Sequence, residues 1–207
     1  MARLDPCRAC GKDDVKIIAK ARLPTSYGKF TIFAFCNNMD NKEHVAIVKG
    51  KVAGKKMVPL RIHSECLTGD VFHSLRCDCR AQLEAAIKKI SKLPCGVVIY
   101  MRQEGRGIGL ANKIRAYELQ DRGYDTVQAN LALGFPSDVR NYDVAAALIK
   151  QLKIKSIALI TNNPDKIGKL LSYGVKVVKR IPHEFGKTKY NRDYLAVKKR
   201  KMAHMLS

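Results

Sequence analysis

The chain has 207 residues, a hydrophobic fraction of 46% and a formal net charge of +21. That apolar content suffices for an ordinary buried core in one domain or two small ones, and no stretch approaches the roughly 20 apolar residues of a membrane helix. No apolar run at the N-terminus resembles a secretory signal, so the sequence reads as a soluble cytoplasmic protein, and its seven cysteines as thiolate or metal chemistry and not a disulfide framework.

The first half reads mainly as short strands. Val15 to Ala19, Phe30 to Phe35, His44 to Val48 and Val58 to Ile62 are apolar or alternating, bounded by glycine, proline, asparagine or charge. The period then changes. Leu83, Ala86, Ile87 and Ile90 follow the i, i+3, i+4, i+7 spacing of an amphipathic helix that Pro94 ends, and Gly96 to Met101 is a compact apolar strand. Leu110, Ala111, Ile114 and Tyr117 repeat the helical spacing, with Gly123 as a stop. Tyr142 to Leu152 reads as a helix, Ser156 to Thr161 as a strand, Asn163-Pro164 as a helix start, Val175 to Lys179 as a strand and Asp193 to Met205 as a last helix. Strands alternating with helices from residue 95 onward predict an α/β fold: mixed β-sheet layers with flanking helices and a strand-rich N-terminal half. Residues 1–13, with Cys7-x-x-Cys10, read as an extension, and residues 14–207 as the domain proper.

The positive charge thickens late, with 16 Lys and Arg against 4 Asp and Glu from Arg140 to Ser207. Such an excess attracts polyanions, whether nucleic acid or phosphorylated small molecules, although a solvated basic surface with no dedicated partner has the same composition.

Cys66, Cys77 and Cys79 fall within 14 residues, a compact soft donor set suited to Zn²⁺. Three cysteines and an open fourth position make a catalytic site, in which the metal acidifies water. His63 or His73 as a fourth ligand would instead close the site into a structural knuckle. Cys7 and Cys10 read as an exposed reduced pair.

Met101-Arg-Gln-Glu-Gly-Arg-Gly-Ile-Gly-Leu110 follows a strand and opens a helix. Its glycines let backbone amides approach a ligand, and its arginines and the helix N-terminus supply charge, as in a phosphate cradle. A plain Gly-rich turn has the same residues. Thr161-Asn-Asn-Pro-Asp-Lys166 repeats the logic: Asn163 can cap, Pro164 suits the first helical position, and Thr161 and Lys166 are available to an anion. On spacing alone, Asp138 and Arg140 read as a surface ion pair and Tyr117 as a core tyrosine.

Together these segments resemble the GTP cyclohydrolase II family of riboflavin biosynthesis, over roughly residues 18–207. The resemblance rests on Arg61-Ile-His-Ser-Glu-Cys-Leu-Thr-Gly-Asp70, Leu75-Arg-Cys-Asp-Cys79, Arg102-Gln-Glu-Gly-Arg-Gly-Ile-Gly-Leu110, Asn112-Lys-Ile-Arg-Ala-Tyr117, Gly123-Tyr-Asp-Thr126 and Leu159-Ile-Thr-Asn-Asn-Pro164. It implies that residues 14–207 form a catalytic domain that hydrolyses GTP with zinc, opening the guanine imidazole ring. Formate and pyrophosphate leave, and a diaminopyrimidine ribosyl monophosphate remains. Cys66, Cys77 and Cys79 are then the zinc ligands. Arg61, Ile62, His63, Ser64, Glu65, Gln82, Glu104, Gly105, Arg106, Thr126, Thr161 and Lys166 contact GTP. Asp138 is the proton acceptor, Arg140 attacks the α-phosphorus, and Tyr117 completes the hydrolysis. A homodimer and Mg²⁺ on the triphosphate are also implied. The length leaves no room for the dihydroxybutanone phosphate synthase domain fused to this one in some members. Two alternatives stand beside this reading: ring opening that keeps the formyl group, and a zinc-containing nucleic-acid-binding module. The module leaves the glycine-rich run unexplained, and aromatic residues, at 7%, form no interleaved stacking motif.

Overall fold

The computed structural model describes residues 15–40, 42–136 and 138–184. The last helix expected at Asp193 to Met205 and the Cys7-x-x-Cys10 pair lie outside the described residues. Strands β1 (Val15–Thr25), β2 (Gly28–Asn37), β3 (His44–Lys49), β4 (Val58–Ser64), β5 (Gly96–Met101), β6 (Ile157–Ile160) and β7 (Val177–Ile181) form one seven-stranded sheet in the order β1-β2-β3-β5-β4-β6-β7. β1, β2, β3 and β5 are successively antiparallel, whereas β5, β4, β6 and β7 are parallel. The fold is therefore mixed α/β with strands dominating its N-terminal half.

β1 runs on to Thr25, well past the apolar stretch that ends at Ala19. It is an edge strand exposed along most of its length, so its register comes from cross-strand partners such as Leu23 with Phe30 and not from its own alternation. Helices α1 (Leu67–Asp70), α2 (Cys79–Ser91), α3 (Leu110–Asp121), α4 (Thr126–Ala132), α5 (Asp143–Gln151) and α6 (Pro164–Ser172) connect the later strands. α1 and α4 are not announced by hydrophobic periodicity in the sequence. α4 is set by a capping box: Asp125 accepts from the Val127 and Gln128 amides, and the Gln128 side chain accepts from the Asp125 amide.

Two apolar layers flank the sheet. Leu60, Ile62, Val97 and Ile99 pack with Val144 and Leu148 of α5 and Leu170 of α6; Val98 and Ile160 pack with Ala86 and Ile90 of α2. β5 and β6 are thus covered on both faces, which is why they read as near-continuous apolar runs, whereas β7 at the sheet edge is largely exposed. Each fully buried Leu or Ile contributes about 1.5–3 kcal/mol. No helix of the described residues is long and apolar enough to cross a membrane.

The alternation along β4 sends Leu60 and Ile62 to one face, which leaves Arg61 and His63 for the other. β4 lies between β5 and β6, and the chain leaves it first toward β5 and later returns on its other side. Beyond the carboxyl ends of such strands a crevice opens.

Candidate active site

β4 ends at Ser64 and continues through Glu65 and Cys66 into α1. β5 ends at Met101 and enters a 3-10 turn, Glu104–Gly107; β6 ends at Ile160 and passes through Thr161 and Asn162 into the cap of α6. Side chains from all three exits line one pocket, joined by Lys113 and Tyr117 of α3, Thr126 of α4, Arg140 and His183.

The sulfurs of Cys66, Cys77 and Cys79 lie within 4.8 Å of one another. They close over Gly69, where an added Cβ would stand 2.9 Å from the Cys77 sulfur and 3.2 Å from that of Cys66. Cys66 is held from both sides. Its amide donates to Asp70 Oδ2 at 3.1 Å, and the same carboxylate accepts from His63 Nε2 at 3.1 Å and the Tyr100 hydroxyl at 2.8 Å. On the other side Lys113 Nζ is 3.1 Å from the Cys66 sulfur and 2.8 Å from Glu104 Oε1, while Glu104 Oε2 accepts from the Leu67 amide at 2.6 Å. Hydrogen bonds from the Cys77 and Cys79 thiols, followed by the Lys113 ammonium, draw Cys66 far below the ordinary thiol range. That thiolate in turn pushes Cys77 up to about 11 and Cys79 well above its ordinary value. Neither histidine joins the cluster: His63 bonds Asp70, and His73 Nε2 accepts from Arg80 at 2.6 Å. A tetrahedral metal on three sulfurs keeps one position free.

The glycine-rich turn takes a left-handed path, with φ of +61° at Gly105, +60° at Arg106, +97° at Gly107 and +85° at Gly109. Glycine adopts this at little cost; Arg106 is the one side chain forced into it. The turn is tied to the segment around Arg140. Arg106 O accepts from the Val139 amide at 3.2 Å, and Gln103 Nε2 donates to Asn141 O at 2.8 Å. Arg140 donates through Nε to Asp138 Oδ1 at 2.9 Å and through a terminal nitrogen to Oδ2. Burial pulls the Asp138 carboxyl upward, but the hydrogen bonds and charge of Arg140 outweigh it and hold the group below the usual carboxylate range. This pair is largely buried at the rim of the pocket, in contrast to the surface pair that spacing suggests.

Asn163 caps α6 by accepting from the Asp165 amide at 3.0 Å, and Thr161 Oγ1 accepts from the Asn163 amide at 3.1 Å. Lys166 donates to Ile62 O at 2.9 Å and lies 5.3 Å from the centre of the Tyr142 ring. Arg61 is buried, donating to Ile160 O at 2.9 Å and to the Gln82 side chain, which binds Asp78. Burial lowers its guanidinium to about 10 against the pull of Asp78. Tyr117 is not a core tyrosine. Its hydroxyl lies 3.2 Å from Thr68 Oγ1, its ring lies beneath Arg76 and Lys113, and burial raises its phenol to about 12.

Of the zinc, GTP and catalytic residues implied by the family resemblance, all line the pocket but two: Ile62, whose side chain is in the core, and Asp138, which reaches the pocket through Arg140. Lys113, Arg76 and His183 also line it and are absent from that set. His183 Nε2 donates to Gln82 O at 2.8 Å, and burial, then the charge of Arg61, lowers its imidazole to about 3. Nothing in its stretch of sequence marks it. Lys113, by contrast, falls four residues before Tyr117 on a helix already placed, one turn away on the same face.

A family model described as GTP cyclohydrolase II matches residues 16–182. The chain is 55% identical over 191 residues to a GTP cyclohydrolase-2 of Picrophilus torridus, covering 92% of this chain and 99% of that one. It is 51% identical over 191 residues to a GTP cyclohydrolase-2 of Aeromonas hydrophila, covering 92% and 97%. A riboflavin biosynthesis protein RibBA of Endomicrobium trichonymphae is 53% identical over 189 residues, which span 91% of this chain but 47% of that longer one.

Proposed function

Because the chain belongs to the GTP cyclohydrolase II family, a family of hydrolases in riboflavin biosynthesis, we propose that it opens the imidazole ring of GTP, releases formate and pyrophosphate, and holds zinc on Cys66, Cys77 and Cys79. One observation carries the reading: three thiols and several cations share the walls of a single pocket. The donor set fits zinc, being three soft sulfurs around a glycine with a lysine ammonium against one of them. When bound there, zinc supplies Lewis-acid activation of water near neutral pH.

The chain's own groups do the rest. Arg106, Arg140 and Lys166 face the triphosphate and offset its charge in a partly dehydrated site. Thr161 sits beside them. Arg61, His63, Ser64, Glu65 and Gln82 form the wall against the guanine, with Ile62 packed in the core behind them and Thr126 and the backbone of Glu104 and Gly105 opposite. Asp138 orients Arg140 and is the nearest acceptor for its proton. The tightness of that pair favours Arg140 as an electrostatic partner of the α-phosphate; attack by its nitrogen requires the pair to part first. Tyr117, beside the thiols, acts in completing the hydrolysis. Among the described residues the cysteines are the one group of three or more ligand side chains placed to hold a metal, and Mg²⁺ enters on the triphosphate, whose oxygens suit it. A homodimer, which would cover exposed Val71, Phe72 and Leu75, and a cytoplasmic setting complete the proposal.

The test is incubation of zinc-loaded protein with GTP and Mg²⁺. Formate and pyrophosphate in equal amounts are expected. Pyrophosphate with a formylated pyrimidine would favour ring opening alone, and Cys79→Ser protein with full zinc and full formate release would defeat the assignment of the ligands.

A further inference from the structure

The end of the sheet opposite the pocket carries a second ordered array of charge. Lys51, Lys55 and Lys56 lie in the segment before β4, and Lys150, Lys153 and Lys155 in the segment before β6; all six are exposed. Backbone bonds fuse the segments. Gly54 N donates to Lys153 O at 2.7 Å and Lys155 N to Lys55 O at 2.9 Å, and the Met57 amide donates to Ser156 Oγ at 2.9 Å. Lys176 continues the edge, its carbonyl accepting from the Ile157 amide at 2.9 Å. No Asp or Glu occurs between Glu43 and Glu65 or between Asp143 and Asp165. None of the six lysines enters an ion pair among the described residues.

This edge does not serve the pocket. Seven residues of β4, at about 3.3 Å each, put roughly 20 Å between them, well beyond the Debye length of about 8 Å. Like charges held together on a rigid edge repel unless an external anion lies across them. We infer that this lysine edge binds the phosphodiester backbone of a nucleic-acid duplex. Lysines are point charges that track phosphates without reading bases. Neighbouring strands stand about 4.8 Å apart, so the segments leading into β4, β6 and β7 set these lysines in a row and not at a point. A lipid surface fits less well, because stable membrane docking adds an apolar anchor to the basic patch, and Met57 is the one exposed large apolar side chain in the two segments. With no exposed aromatic there, unpaired bases have nothing to stack on.

The experiment is fluorescence anisotropy of the full chain with labelled duplex RNA and duplex DNA of mixed sequence, over a salt series. Contact with five or six phosphates gives a slope of log K against log salt of about −4.5 to −5.4. Lys55, Lys56, Lys153 and Lys155 all changed to Gln should make it shallower by about 3 to 4 and weaken low-salt binding more than tenfold, with melting temperature and metal content unchanged. The same four changed to Arg should keep binding, which guards against a merely structural loss. The two duplexes decide whether RNA or DNA is preferred. Absence of binding to either duplex, full binding by the Gln variant, or binding to anionic vesicles in place of duplex would each overturn the inference.

Discussion

Lys113 brings its ammonium to 3.1 Å from the Cys66 sulfur while its other hydrogen bond, at 2.8 Å, goes to Glu104. One cation therefore serves the thiol cluster and the glycine-rich turn together. Lys113→Met would leave the largely buried Glu104 carboxylate with only its backbone amide donors and no cation, a loss of up to about 3–5 kcal/mol, and would strip Cys66 of its positive neighbour. Thermal unfolding should shift downward and a chelator should remove metal more readily. Adding Glu104→Gln should recover part of the stability but none of the metal retention. Wild-type metal retention by Lys113→Met would separate the lysine from the cysteine site.

Gly69 tests how tightly the thiols are arranged. An alanine methyl at 2.9 Å from the Cys77 sulfur and 3.1 Å from Cys79 Cβ must push the sulfurs apart. Gly69→Ala should bind metal at least tenfold more weakly, with overpacking costing about 1–3 kcal/mol. Competition with a chromogenic chelator reads the first effect and denaturant unfolding the second; unchanged affinity would mean that the cluster can relax.

His183 predicts a pH dependence. Its imidazole is lowered from 6.5 to about 3 by burial and by Arg61, so the unfolded chain takes up this proton before the folded one does. The stability that follows is complete above pH 6.5 and declines as pH falls toward 3. His183→Leu should flatten unfolding free energy across that window by up to about 1.4 kcal/mol per pH unit. Denaturant titrations at several pH values would measure it, and an unchanged slope would place the acid sensitivity elsewhere.

Asp138 acts lower on the scale. Its folded carboxyl is held below the ordinary value of 3.8, so its contribution is present above that value and lost as pH falls through the folded one. Asp138→Asn should flatten the stability curve below about pH 4. Its effect on catalysis is separate: Arg140 loses its orienting carboxylate, and kcat should fall roughly 100-fold with a smaller change in KM. A variant with normal kcat would free Arg140 from dependence on this pair.

Much of the parallel half was legible because β5 and β6, buried on both faces, spell themselves as apolar runs, and because Asn163-Pro164 and the i, i+3, i+4 spacings announce helices. Asp125-Thr-Val-Gln128 is also a written signal, a capping box that hydrophobic periodicity passes over in so short a helix. The cysteines were legible from spacing, but the absence of His63 and His73 from their cluster was not. It depends on Asp70 and Arg80, whose positions follow from how α1 and α2 pack. The same holds for His183, which reaches Gln82 only after β7 has joined the sheet, and for Tyr117, whose place on an apolar helical stripe says nothing of the thiols opposite.

The strand order carries a consequence for synthesis on the ribosome. β4 is made before both of its eventual neighbours, and its second edge waits for β6, about 100 residues later in a chain that emerges at about 5–20 residues per second. For several seconds a largely buried central strand of the fold has one row of amides and carbonyls open to any passing strand. Val15 to Lys49, by contrast, can close as an antiparallel ribbon as soon as it emerges. A nascent chain of this protein is thus half finished early and adhesive late, and translation pauses between Gly96 and Ile157 fall in its most vulnerable interval.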